Sequence, residues 1–70
     1  MLFNWEDGFE ISVRVEDDGS VVISANEEGL RSLANHLNML ADEPGCGHFH
    51  LDEYNSLEEG SVELIVEKTE

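Results

Sequence analysis

The chain has 70 residues, of which 40% are hydrophobic, and 17 Asp and Glu against three Lys and Arg give a formal net charge of -14. A chain of this length forms one domain with a single small core, which leaves little room for a deep substrate pocket. So large a negative charge disfavours direct binding to nucleic acid or anionic lipid and favours fast encounter with basic partners. The single cysteine, Cys46, excludes an intramolecular disulfide.

The start of the chain has neither a basic segment nor the apolar run of a signal peptide, and no stretch approaches the ~20 apolar residues of a membrane span. We therefore predict a cytoplasmic protein. One domain is expected over residues 1–70, with residues 9–67 as its core and residues 1–8 as an N-terminal arm or an extra edge strand. Trp5 of that arm is either a binding anchor or a cap on the edge of the core.

Two strands joined by a tight turn are predicted next. Residues 9–16 alternate between apolar and polar side chains, which is typical of a strand with one face in water. Residues 17–20 read Asp-Asp-Gly-Ser, and an Asp-Gly pair between two apolar runs indicates a hairpin turn. Residues 21–25 form the second strand of the hairpin.

A helix follows, and Asn26 is its expected N-cap because its side chain can accept a hydrogen bond from a free backbone N–H. Glu27 and Glu28 lie in the first turn, where the helix dipole favours negative charge. Gly29 either permits a close approach between helix and sheet or is merely tolerated. Helix breakers at residues 43–47 end the helix. The apolar spacing predicts a buried stripe of Leu30, Leu33, Ala34, Leu37, Leu40 and Ala41.

Residues 48–52 alternate again, with Phe49 and Leu51 on one face. Residues 61–67 predict a last strand, with three inward side chains: Val62, Leu64 and Val66. The order β-β-α-β-β predicts an α+β two-layer sandwich, in which one helix packs on one face of a four-stranded antiparallel sheet. Strand orders 2-1-3-4 and 1-2-4-3 both make every neighbouring pair antiparallel, and both remain open.

A metal site is conceivable on the third strand, where His48, His50 and Asp52 point the same way with about 7 Å between successive residues. A His-x-His pair can reach one metal ion, and Asp52 would add an oxygen ligand. A structural site needs four ligands, and the nearest further candidates are Cys46 and His36. We favour the simpler interpretation, in which these are polar residues on the water-facing side of a strand and bind no metal.

Catalytic chemistry is not indicated. Cys46 stands near His48 but lacks the positive surroundings that activate a thiol. Carboxylates are abundant, but general acid–base chemistry needs one in a desolvated cleft, and no such cleft is predicted. The chain has no Gly-rich phosphate loop. We therefore predict no enzymatic activity and no cofactor.

Three segments together resemble the small bacterial family named immunity protein 32, namely residues 24–37, 47–52 and 57–66. The resemblance covers roughly residues 20–67. Its most specific part is the His-Leu-Asp strand of residues 50–52, which follows the helix in the right order. The family is predicted to protect cells from polymorphic toxins, so the resemblance implies a binding role and carries over no active-site residue.

Charge and resemblance lead to the functional hypothesis of a small acidic immunity protein that neutralises a basic toxin domain by docking on it. Nuclease surfaces that grip phosphates are basic, and complementary charge raises the association rate. The expected docking surface is the open face of the sheet: Glu10, Ser12, Arg14, Glu16, His48, His50, Asp52, Glu63 and Glu67. A second candidate is the outward side of the helix: Arg31, Asn35, Asn38 and Met39. The alternatives are a metal-binding protein that uses the His-x-His strand and a self-associating structural module. The protein is expected to be a monomer or a homodimer.

Overall fold

The computed structural model describes residues 5–70 of the chain. Its elements are β1 (Ile11–Val15), β2 (Val21–Ala25), α1 (Glu27–Asp42), β3 (Gly47–Leu51) and β4 (Leu64–Lys68). This order confirms the predicted α+β class and the β-β-α-β-β sequence of elements. Among the described residues, no helix combines the length and the apolar character that crossing a membrane would require.

The strands form two separate antiparallel pairs, β1–β2 and β3–β4, so the predicted single four-stranded sheet is wrong for the part of the chain described. Residues 58–62 run along β1 and bridge the pairs: Glu58 N donates to Ile11 O (2.8 Å), and Val62 N donates to Val13 O (3.0 Å). In the other direction, the backbone N–H of Val13 donates to the Ser61 hydroxyl (3.1 Å) instead of to a backbone carbonyl. Because a side chain replaces the carbonyl there, residues 58–62 form no regular ladder with β1. β4 begins at Leu64, which pairs with Leu51 at the end of β3.

Both hairpins and the helix share one core, and its buried apolar members are Ile11, Val13, Leu40, Phe49, Leu51 and Leu57. The helix buries Gly29, Ser32, His36 and Leu40. The predicted leucine stripe is therefore partly wrong: Leu40 is buried and Leu33 half-buried, but Leu30 and Leu37 are 55% and 44% exposed. The inward face keeps helical spacing but is rotated towards smaller and more polar residues.

The rotation has its cause at Gly29, which lies directly against the first hairpin. A Cβ atom at this position would stand 2.9 Å from Ile11 Cγ1 and 3.0 Å from Ala25 Cβ, and it would overlap the carbonyl oxygen of Glu10. Only a residue without a side chain permits so close an approach. The close-approach interpretation is thus confirmed, and the glycine edge of the helix, rather than its leucine edge, faces the hairpin.

Asn26 joins the helix start to the chain that enters β1, which confirms the predicted N-cap. Its Oδ1 accepts hydrogen bonds from Gly29 N (2.8 Å) and from Glu10 N (3.0 Å). Its Nδ2 donates to Gly8 O (2.9 Å). One side chain therefore caps the helix and holds the start of β1 beneath it.

The described part of the N-terminal arm, residues 5–8, packs on the helix instead of adding a strand. The Trp5 ring stacks on Phe9 with centroids 4.5 Å apart and meets the ring of His36 edge-on at 3.9 Å. Glu6 N donates to Ser32 Oγ (2.7 Å). Trp5 thus covers the edge of the core. Residues 1–4 of the predicted arm or edge strand lie outside the described residues.

Candidate interaction surfaces

The two histidines of β3 lie on its water-facing side, as predicted. Their ring centroids are 5.0 Å apart, and both side chains are exposed while Phe49 and Leu51 between and beyond them are buried. His50 Nδ1 lies 3.0 Å from Glu63 Oε2, so a carboxylate already occupies one nitrogen of this imidazole. Glu63 lies between residues 58–62, which run along β1, and the first residue of β4.

Asp52 does not join the histidines. Its Oδ1 accepts hydrogen bonds from Tyr54 N (2.9 Å) and Asn55 N (3.1 Å), which shapes the turn after β3. Of the further candidate ligands, Cys46 is exposed in its loop and His36 is buried inside the core. Among residues 5–70, no three His, Cys, Asp or Glu side chains are arranged to hold a metal ion.

We expect titration of zinc, nickel or manganese into the protein to give no saturable heat that depends on His48 and His50. A pair of imidazoles, one of them engaged by Glu63, falls short of the four ligands of a structural site. Isothermal calorimetry of the wild type and of a double His48→Ala, His50→Ala variant makes the comparison. Saturable binding in the wild type that the double variant lacks would restore the metal hypothesis.

The polar side of the first hairpin is organised around Arg14. Its Nε pairs with Glu16 Oε1 at 3.0 Å, and one of its terminal nitrogens donates to Ser24 Oγ (2.9 Å). Ser12 faces Ser24 across the ladder. The predicted docking residues therefore fall into two groups: Glu10, Ser12, Arg14 and Glu16 belong to the first hairpin, and His48, His50, Asp52, Glu63 and Glu67 belong to the second.

Each of the three Lys and Arg side chains is already engaged within the chain. Arg14 pairs with Glu16, and Arg31 pairs with Glu27 one helical turn earlier at 2.7 Å. That hydrogen bond raises the pKa of the Arg31 guanidinium. Lys68 Nζ donates to the carbonyls of Ala41 and Glu43 at the end of the helix. Three engaged cations cannot neutralise 17 carboxylates, so the charge presented to solvent is strongly negative.

Thermal stability is expected to rise with modest salt, because screening weakens the repulsion among the carboxylates. Increasing NaCl from roughly 20 mM to roughly 200 mM should raise the unfolding midpoint by about 4 °C. Differential scanning calorimetry at pH 7.5, with sucrose of equal osmolality as the control, measures the shift. A flat or falling midpoint would show that the carboxylates are better compensated than their number implies.

An exposed apolar surface was missed by the prediction of an entirely polar docking face. Val15 and Val21 are opposite each other at the turn end of the first hairpin and are 56% and 60% exposed, and Ile23 behind them is 40% exposed. The alternation of residues 9–16 does reveal this apolar face. It cannot reveal that the single helix covers only the other end of it.

Tyr54 is the most exposed large apolar side chain among residues 5–70, at 90%. It stands in the β3–β4 connection with Glu53 and Glu59 around a shallow surface depression. Glu53 Oε2 accepts a hydrogen bond from Gly60 N (2.8 Å), and Leu57 is buried beneath the connection. The connection is therefore anchored at its base while it presents Tyr54 to solvent.

Together the fold and its surfaces define a small, acidic α+β protein built from two antiparallel hairpins and one helix. The chain matches the model of the family Immunity protein 32 over residues 20–69, and it belongs to that family. The match includes β2, α1, β3 and β4 and confirms the resemblance seen in the sequence. No curated protein and no solved structure matches the chain. The family name points to a toxin-neutralising role.

Proposed function

We propose that this chain is a cytoplasmic immunity protein that neutralises a basic bacterial toxin domain by docking on it, without catalysing a reaction. Membership of the immunity protein 32 family carries the proposal. The net charge of -14 supports the choice of a basic partner, because all three Lys and Arg side chains are engaged within the chain. The surface is left to attract cations rather than phosphates or acidic proteins.

Inhibition by docking needs no reactive group in the inhibitor. A toxin that acts on nucleic acid grips phosphates with Lys and Arg, and an acidic protein placed on that surface excludes the substrate. Opposite charges also steer the two proteins together and raise the association rate. The outward faces of the two hairpins, predicted from the sequence, and the helix-bearing side both remain candidate docking surfaces under this proposal.

The test takes the protein encoded by the gene adjacent to that of this chain as the candidate toxin domain and prepares it as an inactive variant. We expect a 1:1 complex, and we expect raising NaCl from roughly 20 mM to roughly 200 mM to weaken its Kd by at least about tenfold, mainly through a slower association rate. Surface plasmon resonance gives both rates. An unrelated acidic protein of similar size and charge is the control and should bind far more weakly.

Co-expression in bacteria supplies the functional readout, since this chain should restore growth that the active toxin domain abolishes. No complex and no rescue would rule out the proposed function. Rescue with a Kd indifferent to salt would keep the immunity role and remove the electrostatic part of the proposal.

A further inference from the structure

The apolar face of the first hairpin continues beyond the core. Opposite residues in the ladder are Val13 with Ile23 and Val15 with Val21. Cβ atoms of opposite residues lie about 5 Å apart, so these four side chains form one continuous patch. Its exposure rises along the hairpin, from 1% at Val13 to 56% at Val15. We name Val15, Val21 and Ile23 the hairpin patch.

The hairpin patch is uncovered because the helix crosses from one hairpin to the other. At its start Gly29 lies on Ile11, at the far end of the first hairpin from the turn. Farther along, the His36 ring is 5.8 Å from that of Phe49 in β3, and Leu40 Cδ1 lies beside Gly47. On the face of the first hairpin that carries the helix, the turn end is therefore left uncovered.

The helix itself carries further exposed apolar side chains. Leu30 and Leu37 are exposed and lie seven residues apart, which places them on one flank of the helix. The N-terminal arm packs through Glu6 on Ser32, which lies on the opposite flank. The leucine flank is therefore free of the described part of the arm.

The charge around the hairpin patch indicates which kind of partner it can bind. The turn next to the hairpin patch carries Asp17 and Asp18, while Glu16 beside them pairs with Arg14. The backbone N–H of Ser20 donates to Asp18 Oδ1 (2.9 Å), and this bond lowers the pKa of the Asp18 carboxyl. A second copy of the chain would bring another net charge of -14 against these carboxylates. A partner with an apolar centre and Lys or Arg around it complements both parts of the surface.

We propose that the hairpin patch, with its acidic turn, is the surface that docks on the toxin domain, and that the partner presents apolar side chains surrounded by Lys and Arg. The inference rests on the proposed function and selects the helix-bearing side over the outward faces of the hairpins. Contiguous apolar surface bordered by charge is typical of protein interaction sites.

The variants Val21→Asp and Ile65→Asp form a matched pair. Ile65 is a strand residue with 53% exposure, and it lies opposite His50 on the outward face of the second hairpin. I65D therefore introduces the same charge at similar exposure, but on a face that does not carry the helix. With the toxin domain encoded beside the gene, V21D should weaken the Kd by at least about tenfold and I65D by less than about threefold. Equal effects, or a larger effect of I65D, would overturn the assignment.

A milder variant guards against a loss of folding. Val15→Thr with Val21→Thr preserves side-chain shape and strand preference while making the patch polar. Circular dichroism checks folding, and the double variant should weaken the Kd by about fivefold, whereas I65T should not. If folded V15T/V21T binds like the wild type, the hairpin patch is not the docking surface.

The charge of the turn is tested with Asp17→Lys against Glu59→Lys, which change the net charge equally. D17K should slow association by about tenfold more than E59K, because electrostatic attraction acts over about 10 Å at moderate salt. Equal slowing would show that only the total charge of the chain matters and would remove the acidic turn from the proposal.

A second probe separates failure of the surface from failure of the function. If the wild type does not bind the toxin domain, the proposed function fails. A synthetic peptide of alternating Leu and Lys, titrated into the labelled chain, then tests the surface alone. Methyl resonances of Val15, Val21 and Ile23 should shift more than that of Ile65, and the reverse pattern overturns the surface. Sedimentation showing a wild-type dimer that V21D dissociates would assign the patch to a second copy instead.

Discussion

Replacing Gly29 with Ala is expected to lower the free energy of unfolding by about 2–3 kcal/mol. The added Cβ would overlap the carbonyl oxygen of Glu10 and stand 2.9 Å from Ile11 Cγ1. Glu10 cannot yield easily, because its N–H and its carbonyl both bond to Asn26 (3.0 and 3.1 Å). Ala is the better helix former by about 1 kcal/mol, and that gain offsets only part of the overlap.

The expected loss is large for this chain. Stabilities of about 0.05–0.15 kcal/mol per residue imply a total of roughly 4–10 kcal/mol for a protein of this size. Urea unfolding at pH 7.5, followed by circular dichroism, measures the change. Asn38→Ala is the matched control, because Asn38 is an exposed residue of the same helix and should change little or gain slightly. A G29A variant as stable as the wild type would refute the close approach of helix and hairpin.

Acidification is expected to destabilise the fold through His36, which is completely buried with the ring of Trp5 at 3.9 Å and that of Phe49 at 5.8 Å. Burial among these rings lowers the pKa of the His36 imidazole below its usual value of about 6.5. The unfolded chain therefore binds a proton near pH 6.5, while the folded chain resists it to lower pH. Stability contributed by neutral His36 is complete above pH ~6.5 and falls below it.

One proton changes the free energy of unfolding by at most about 1.4 kcal/mol per pH unit, so the loss between pH 7.5 and pH 5 reaches up to about 2 kcal/mol. Urea unfolding across this range measures it. The comparison is with His36→Phe, which keeps a ring at this position, and with His48→Gln, which changes an exposed histidine. The pH dependence should shrink in H36F and persist in H48Q. Equal dependence in the wild type and H36F would exclude the His36 contribution.

Local rules explain what could be predicted. The Asp-Gly turn, the Asn26 cap and the breakers at residues 43–47 act within a few residues of their own position, and the structure has the first hairpin and the helix there. The alternation around His48 and His50 likewise placed both on the water-facing side of β3. The resemblance of three segments also indicated a protein family, and the match over residues 20–69 confirms that family.

Long-range packing explains the features that could not be predicted from the sequence. From the sequence, His36 was considered only as a further metal ligand. In the structure it lies beneath Trp5, a residue 31 positions earlier in the chain. The bond from Val13 to Ser61 that interrupts the sheet joins residues 48 positions apart. No periodicity within one element reports such a partner, and the leucine stripe of the helix was misleading because period alone does not say which edge meets the sheet.

The sequence by itself determined the elements, their order, the acidity and the family of this protein, because these depend on neighbouring residues and on composition. The tertiary structure decided that the strands form two pairs, that the glycine edge of the helix faces inward, and that Val15, Val21 and Ile23 remain exposed. The physical reason is the limited reach of one helix. Held close at Gly29 and drawn towards the second hairpin, it covers the core and leaves the turn end of the first hairpin open.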